Sequence, residues 1–209
     1  MTNTATEINS STGVSEAATP SVTNTDTAAT ASPPATITFA DFGLDPKIQK
    51  AVLEQGYNTP TPIQAQSIPH VLAGSDLMGA AQTGTGKTAA FVLPIIQKIL
   101  RHASNSASPA RHPIRALVLT PTRELAVQVA ENAANYSKHT DLRAAVVYGG
   151  VDMKEQVGIL RNGVEILIAT PGRLLDHIGS KVANLSQVEI LVLDEADRML
   201  DMGFFDEIK

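Results

Sequence analysis

Four short runs of consecutive apolar, largely β-branched residues punctuate the second half of the chain. They are Ala116-Leu117-Val118-Leu119, Ala144-Ala145-Val146-Val147, Ile166-Leu167-Ile168-Ala169 and Ile190-Leu191-Val192-Leu193. Each is unbroken rather than alternating, the pattern of a strand covered on both faces. The segments between them are long enough for helices. Strand and helix therefore alternate, which predicts an α/β fold: a parallel sheet with helices on both faces. A further apolar run, Leu77-Met78-Gly79-Ala80, reads as a strand. It leads through a glycine-rich stretch into a helix-like run from Thr88 to Ile96. In such a fold ligands collect where the strands end. Each of the four runs gives way there to a polar stretch, and most of those stretches carry glycine or proline.

Upstream, Asp45-Pro46 has the form of a helix cap followed by proline at the first helical position. A helix from Lys47 to Gln55 follows, with Ile48, Ala51 and Val52 on one face at three- and four-residue spacing. Thr61-Pro62 repeats the device and opens a second helix, with Ile63 and Ile68 inward. Residues 101–113, rich in Ser, Ala, Pro, His and Arg, read as a surface loop. Residues 1–36 contain no Lys, Arg or aromatic residue and are dominated by small polar residues and Ala. Such a segment buries too little apolar surface to offset the entropy of ordering, so it is expected to be a disordered tail before a globular domain over 37–209.

Composition narrows the picture. The chain has 209 residues, 43% hydrophobic and 18% charged, ample for one domain with a core. It has no cysteine, which excludes disulfides and Cys-type zinc sites and fits a cytoplasmic protein. No stretch is long and apolar enough for a transmembrane helix, and the N-terminus lacks the pattern of a signal peptide. Net charge is −5. Binding of a nucleic acid would therefore have to come from local groups rather than a basic surface. The five histidines show no metal-ligand spacing and read as structural or solvated.

The candidate chemistry begins at Ala81-Gln82-Thr83-Gly84-Thr85-Gly86-Lys87-Thr88. A strand, a glycine-rich turn and Gly-Lys-Thr at a helix start form a loop that cradles phosphates. Gly84 and Gly86 permit backbone angles and close approach that a Cβ would block. The backbone of Gln82, Thr83, Gly84, Thr85 and Gly86 can then aim N–H groups at one anion, at the positive end of a helix dipole. Lys87 is placed for the β- and γ-phosphates and the Thr88 hydroxyl for Mg²⁺. Ala81 stands where the strict pattern has glycine. The last strand runs into Asp194-Glu195-Ala196-Asp197. Asp194 is suited to hold the Mg²⁺ through water, and Glu195 to orient or deprotonate an attacking water.

Asp-Glu-Ala-Asp together with Ala-Gln-Thr-Gly-Thr-Gly-Lys-Thr resembles the DEAD-box RNA helicase family, in which alanine is usual at the position of Ala81. Other family motifs follow in order. Gly56-Tyr57-Asn58-Thr59-Pro60-Thr61-Pro62-Ile63-Gln64 resembles the Q motif, which with Phe39 upstream spans 39–67. Pro121-Thr122-Arg123-Glu124-Leu125-Ala126 resembles motif Ia, Gly149-Gly150 the double glycine, and Thr170-Pro171-Gly172-Arg173 motif Ib. Arg198-Met199-Leu200-Asp201-Met202-Gly203-Phe204 points to the bacterial RhlE-type branch.

The resemblance implies a RecA-like domain that binds ATP and Mg²⁺, with Lys87, Asp194 and Glu195 as catalytic residues. Gln64 has a donor and an acceptor on one amide and can read the adenine edge. Phe39 would stack on the base, with Phe42 left to the core. Pro121, Thr122, Arg123, Gly149, Gly150, Thr170, Pro171, Gly172 and Arg173 would hold an RNA backbone without reading bases. The family's Ser-Ala-Thr motif and second RecA-like domain, with its arginine fingers, do not appear in this sequence. The expectation is a chain that binds ATP, hydrolyses it very weakly and does not unwind duplexes alone. A non-catalytic ATP and RNA clamp is the alternative. A small-molecule kinase or GTPase, or a DNA-directed enzyme, are further rivals that the motifs favour less.

Overall fold

In the computed structural model, which describes residues 37–209 apart from Thr83, the four apolar runs pair as parallel strands β1 (Ala116–Leu119), β2 (Ala144–Val147), β3 (Ile166–Ala169) and β4 (Ile190–Leu193). Their order in the sheet is β2-β3-β1-β4. Registers are direct: Ala116 lies opposite both Ile166 and Ile190, and Ala144 opposite Ile166. The tail expected over 1–36 lies outside the described residues.

Alternate residues of β1, β2 and β3 feed two cores, one on each face. Ala116, Val118, Ile166 and Ile168 join the core beneath α1 (Pro46–Glu54), α2 (Pro62–Leu72), α3 (Lys87–Ile99) and α4 (Arg123–Ser137). Leu117, Leu119, Leu167 and Ala169 join the other, beneath α5 (Met153–Arg161), α6 (Pro171–Gly179), α7 (Ala196–Asp201) and α8 (Phe205–Ile208). The expected double covering is observed for β1, β2 and β3, whereas β4 is covered on one face only. Burying one such Leu or Ile stabilises by about 1.5–3 kcal/mol, and Ile166, Leu167 and Ile168 are all buried.

The helix signals also hold. The Asp45 side chain accepts from the Lys47 N–H at 2.9 Å, and Ile48, Ala51 and Val52 are all fully buried. Ile68 is buried as expected, whereas Ile63 is half-buried.

Two expectations are corrected. Leu77-Met78-Gly79-Ala80 is not a strand. A strand needs a partner, and the run pairs with none of the four strands, although β2 and β4 each have one side unpaired. The run lies outside the sheet with Leu77 48% and Met78 97% exposed. The segment 101–113 is not wholly a surface loop. It contains two short 3-10 turns and ends in a buried His112, whose Nδ1 lies 2.5 Å from Glu165 Oε1. Glu165 Oε2 accepts from the Arg143 N–H, and Arg143 reaches the Ser106 carbonyl. This knot closes the end of the sheet where the strands begin.

Candidate functional site

A cleft of about 320 Å³ lies against the start of α3, large enough for a small-molecule ligand. Gly84, Gly86, Lys87 and Thr88 line it from the phosphate loop, Asp194 and Glu195 from the end of β4, and Thr61 and Gln64 from the start of α2. These residues were picked out separately along the sequence, and the fold brings them to one cavity. Thr85 borders the turn, its hydroxyl donating to the Gln82 carbonyl at 2.7 Å. Thr83 lies outside the described residues.

The turn is shaped by local chemistry. Gly86 caps α3 at φ 89°, a left-handed conformation that L side chains rarely adopt. A Cβ there would sit 2.4 Å from Gln64 Nε2. Lys87 Nζ donates to the Ala81 carbonyl at 2.5 Å, so in this structure the amine rests on its own loop. A phosphate would give it a charged partner in exchange. Gln64 is buried, with its amide engaged at both ends. Its Oε1 accepts from the Thr61 N–H at 2.9 Å, and its Nε2 donates to the Gly86 carbonyl at 3.1 Å.

The acidic pair is placed by strand and strain. The Asp194 N–H donates to the Leu119 carbonyl, which extends the β1–β4 ladder by one residue. Burial and the adjoining Glu195 charge push the Asp194 carboxyl above its usual range, against the pull of Lys87. Glu195 sits at φ 52°, left-handed; among non-glycine described residues only Lys181 shares that sign. The conformation costs about 1–3 kcal/mol and is the kind of strain that marks functional sites. The Glu195 carboxylate also accepts from Arg198 Nη1 at 3.2 Å.

The residues present fit a phosphate and a hard cation. Thr61 Oγ1 is buried at the cleft, where it faces the first turn of α2 as the capping-box side chain. Asp194, short of compensating positive charge, and the Thr88 hydroxyl are oxygen donors of the type Mg²⁺ takes. No cluster of three or more His, Cys, Asp or Glu among the described residues could hold a metal by itself. Magnesium here would thus depend on phosphate oxygens as well.

Phe39 is not in the cleft. It is 4% exposed, packed in the core and edge-on to Phe42 at 5.8 Å between ring centroids. The expected division of labour is reversed: Phe39 is the core residue and Phe42 the partly exposed one. The cleft has its own aromatic residue, Tyr57, 44% exposed. Gln128, Asn132 and Tyr136 of α4 also line it and were missed, although their four-residue spacing puts them on one helix face.

The second set of candidates follows three adjacent strands. Pro121, Thr122 and Arg123 follow β1, Gly149 and Gly150 follow β2, and Thr170, Pro171, Gly172 and Arg173 follow β3. Arg123 is exposed over the Tyr148 ring, 4.9 Å from its centroid. Thr122 Oγ1 accepts from the Leu125 N–H and so caps α4. Gly149, Gly150 and Gly172 are exposed, Thr170 is half-buried and Pro171 buried. Arg173 differs from the expectation: its side chain is only 11% exposed.

The DEAD/DEAH box helicase family model matches residues 61–209. This chain belongs to the DEAD/DEAH box helicase family. It is 49% identical over 171 residues to the ATP-dependent RNA helicase CshA of Listeria monocytogenes, covering 82% of this chain and 31% of that protein. It is 45% identical over 172 residues to the DEAD-box ATP-dependent RNA helicase CshA of Bacillus cereus, with the same coverage. The DEAD-box ATP-dependent RNA helicase RhpA of Helicobacter pylori is 46% identical over 171 residues, 82% of this chain and 33% of that protein. The chain thus spans about a third of the length of the curated relatives it matches. Among the described residues no helix is long and apolar enough to cross a membrane.

Proposed function

We propose that this chain is the ATP-binding RecA-like domain, residues 37–209, of an ATP-dependent RNA helicase. The carrying observation is that Asp194 and Glu195 line the same cleft as Gly84, Gly86, Lys87 and Thr88. In this reading the N–H groups around Gly84 and Gly86 hold the phosphates and Lys87 leaves the Ala81 carbonyl to neutralise them. Thr88 and Asp194 would hold Mg²⁺, Asp194 through water, and the metal would supply charge neutralisation at the phosphoryl group. Glu195 would orient or deprotonate the attacking water. Tyr57, the exposed aromatic residue of the cleft, takes the base-stacking role that the buried Phe39 cannot.

The exposed loops after β1, β2 and β3 hold single-stranded RNA by its backbone, so binding is independent of sequence and weakens with salt. Together with a second RecA-like domain, as the family resemblance implies, ATP binding would close the pair on RNA and open a duplex locally, in the cytoplasm. Lys87 is the only cation among the described residues lining the cleft. Catalysis by this chain alone is therefore weak, since a second cation is worth about 10³–10⁵ in turnover in related enzymes.

Titration calorimetry with ATP and GTP tests the reading. Lys87→Ala is expected to weaken both nucleotides strongly. Gln64→Ala separates two roles. A loss confined to ATP supports adenine reading. An equal loss for both nucleotides assigns Gln64 to holding the turn through Thr61 and Gly86. Undiminished binding by Lys87→Ala would remove the basis of the proposal.

A further inference from the structure

Arg173 lies among the residues assigned to RNA, yet its guanidinium points into the fold. Nη1 and Nη2 both donate to the Val151 carbonyl, at 3.2 and 3.1 Å. Nη1 also donates to Gln156 Oε1 at 3.2 Å. Nε is buried without a hydrogen bond and has the Asp176 carboxylate at 3.4 Å. Little of the cation is left for an incoming phosphate.

Gln156, on α5 and 4% exposed, is the hub. Its Nε2 donates to the Tyr148 carbonyl at 3.0 Å, which fixes the orientation of the amide. Its Oε1 then accepts twice, from Arg173 and from His177 Nε2 at 3.1 Å. His177 is fully buried and lies one helical turn beyond Arg173 on α6. Because Oε1 can only accept, His177 carries its proton on Nε2, and Nδ1 has no partner among the described residues. Burial and the neighbouring Arg173 charge hold the ring below its usual pKa, against the pull of Asp176, and so favour its neutral form.

The two carbonyls held by this network, of Tyr148 and Val151, bracket Gly149 and Gly150. Both glycines are exposed and Gly150 is left-handed at φ 82°. A double glycine loses more conformational freedom than any other dipeptide when its shape is fixed. Something must hold it if it is to present one shape to a ligand. The same loop carries Tyr148, the ring under Arg123.

We propose that Arg173 is a positioning residue: with Gln156 and His177 it holds the 148–151 loop in the shape that meets the RNA backbone, and it does not itself neutralise a phosphate. The inference rests on the RNA-binding reading above, and two measurements keep the two apart. NMR order parameters of the Gly149 and Gly150 amides need no RNA. They are expected to fall in Arg173→Gln and in Gln156→Met, because the Tyr148 and Val151 carbonyls lose their donors, while the rest of the chain keeps its values. Unchanged order parameters in both variants would overturn the proposal.

Binding of a fluorescent decauridine, in the presence of a non-hydrolysable ATP analogue and over a range of salt, gives the second measurement. Arg173→Gln and Gln156→Met are each expected to weaken binding by about tenfold, the scale of one lost hydrogen bond. The salt slope should stay as in wild type, because no phosphate contact is lost. Arg173→Lys keeps the charge but not the fork, and should behave like Arg173→Gln. If Arg173 touched a phosphate directly, Arg173→Gln would lower the slope by about 0.7 and Arg173→Lys would retain it; that result overturns the proposal. If decauridine does not bind the wild-type chain, the order parameters of the loop still decide the role of Arg173.

Discussion

At Gly86 three constraints meet: a left-handed backbone, the first turn of α3, and the Gln64 amide 2.4 Å from where a Cβ would be. Gly86→Ala must strain the backbone by about 1–3 kcal/mol and also push Gln64 off the Gly86 carbonyl. We expect calorimetry to show ATP affinity reduced about tenfold or more, since a few kcal/mol at the site is a tenfold effect or larger. Full wild-type affinity in this variant would mean that the turn does not depend on the glycine. The residues of the proposed phosphate loop were legible in the sequence because their chemistry is local: a turn, a helix start and a lysine are neighbours along the chain. Phe39 and Phe42 show the opposite case. They are three residues apart on one short turn, and only packing against the α1–α3 core decides which is buried. Arg173 is similar. A surface arginine and a buried one read alike until Gln156 and Val151 are found beside it.

Strands and helices were the most legible level, because unbroken apolar runs and cap-plus-proline pairs are written in consecutive residues. Leu77-Met78-Gly79-Ala80 fails there for a definite reason. Its composition suits a strand, but strand identity belongs to a pair of segments, and the run pairs with none of the four strands. β4 illustrates the same dependence: Ile190 and Val192 pack on the first core, whereas Leu191 and Leu193 are 55% and 40% exposed on the other face. The knot of His112, Glu165 and Arg143 was not legible at all, since it joins a loop to two strands. Glu165→Ala would leave the His112 ring and the Arg143 N–H buried without their acceptor. Leaving a buried donor without its acceptor costs about 1–3 kcal/mol, so urea unfolding should move to a distinctly lower midpoint. A shift under about 1 kcal/mol, the scale of an exposed pair, would show that the pair is of no consequence.

Across the whole molecule, the sheet order places the loops after β2, β3, β1 and β4 in one row. The proposed RNA-facing residues occupy the first three, and Asp194 and Glu195 the fourth. A ladder bond from Asp194 N to the Leu119 carbonyl joins the end of β4 to the end of β1, the strand that leads into Pro121-Thr122-Arg123. The two proposed sites are thus built on adjacent strands. With Lys87 as the only cation among the described residues lining the cleft, steady-state ATP hydrolysis by this chain should be slow and little raised by RNA. Turnover in the ordinary enzyme range of about 1–10³ per second would contradict that.

Order along the chain was enough for the α/β class, the helix starts and the glycine turn that opens α3, since each follows from residues in contact with their sequence neighbours. Tertiary packing alone settled which aromatic ring faces the cleft, that Gln64 braces the turn, that residues 77–80 stay outside the sheet and that Arg173 turns inward. In each of these the deciding contact is with a residue far away in sequence, and burial is a property of what surrounds a side chain, not of the side chain itself.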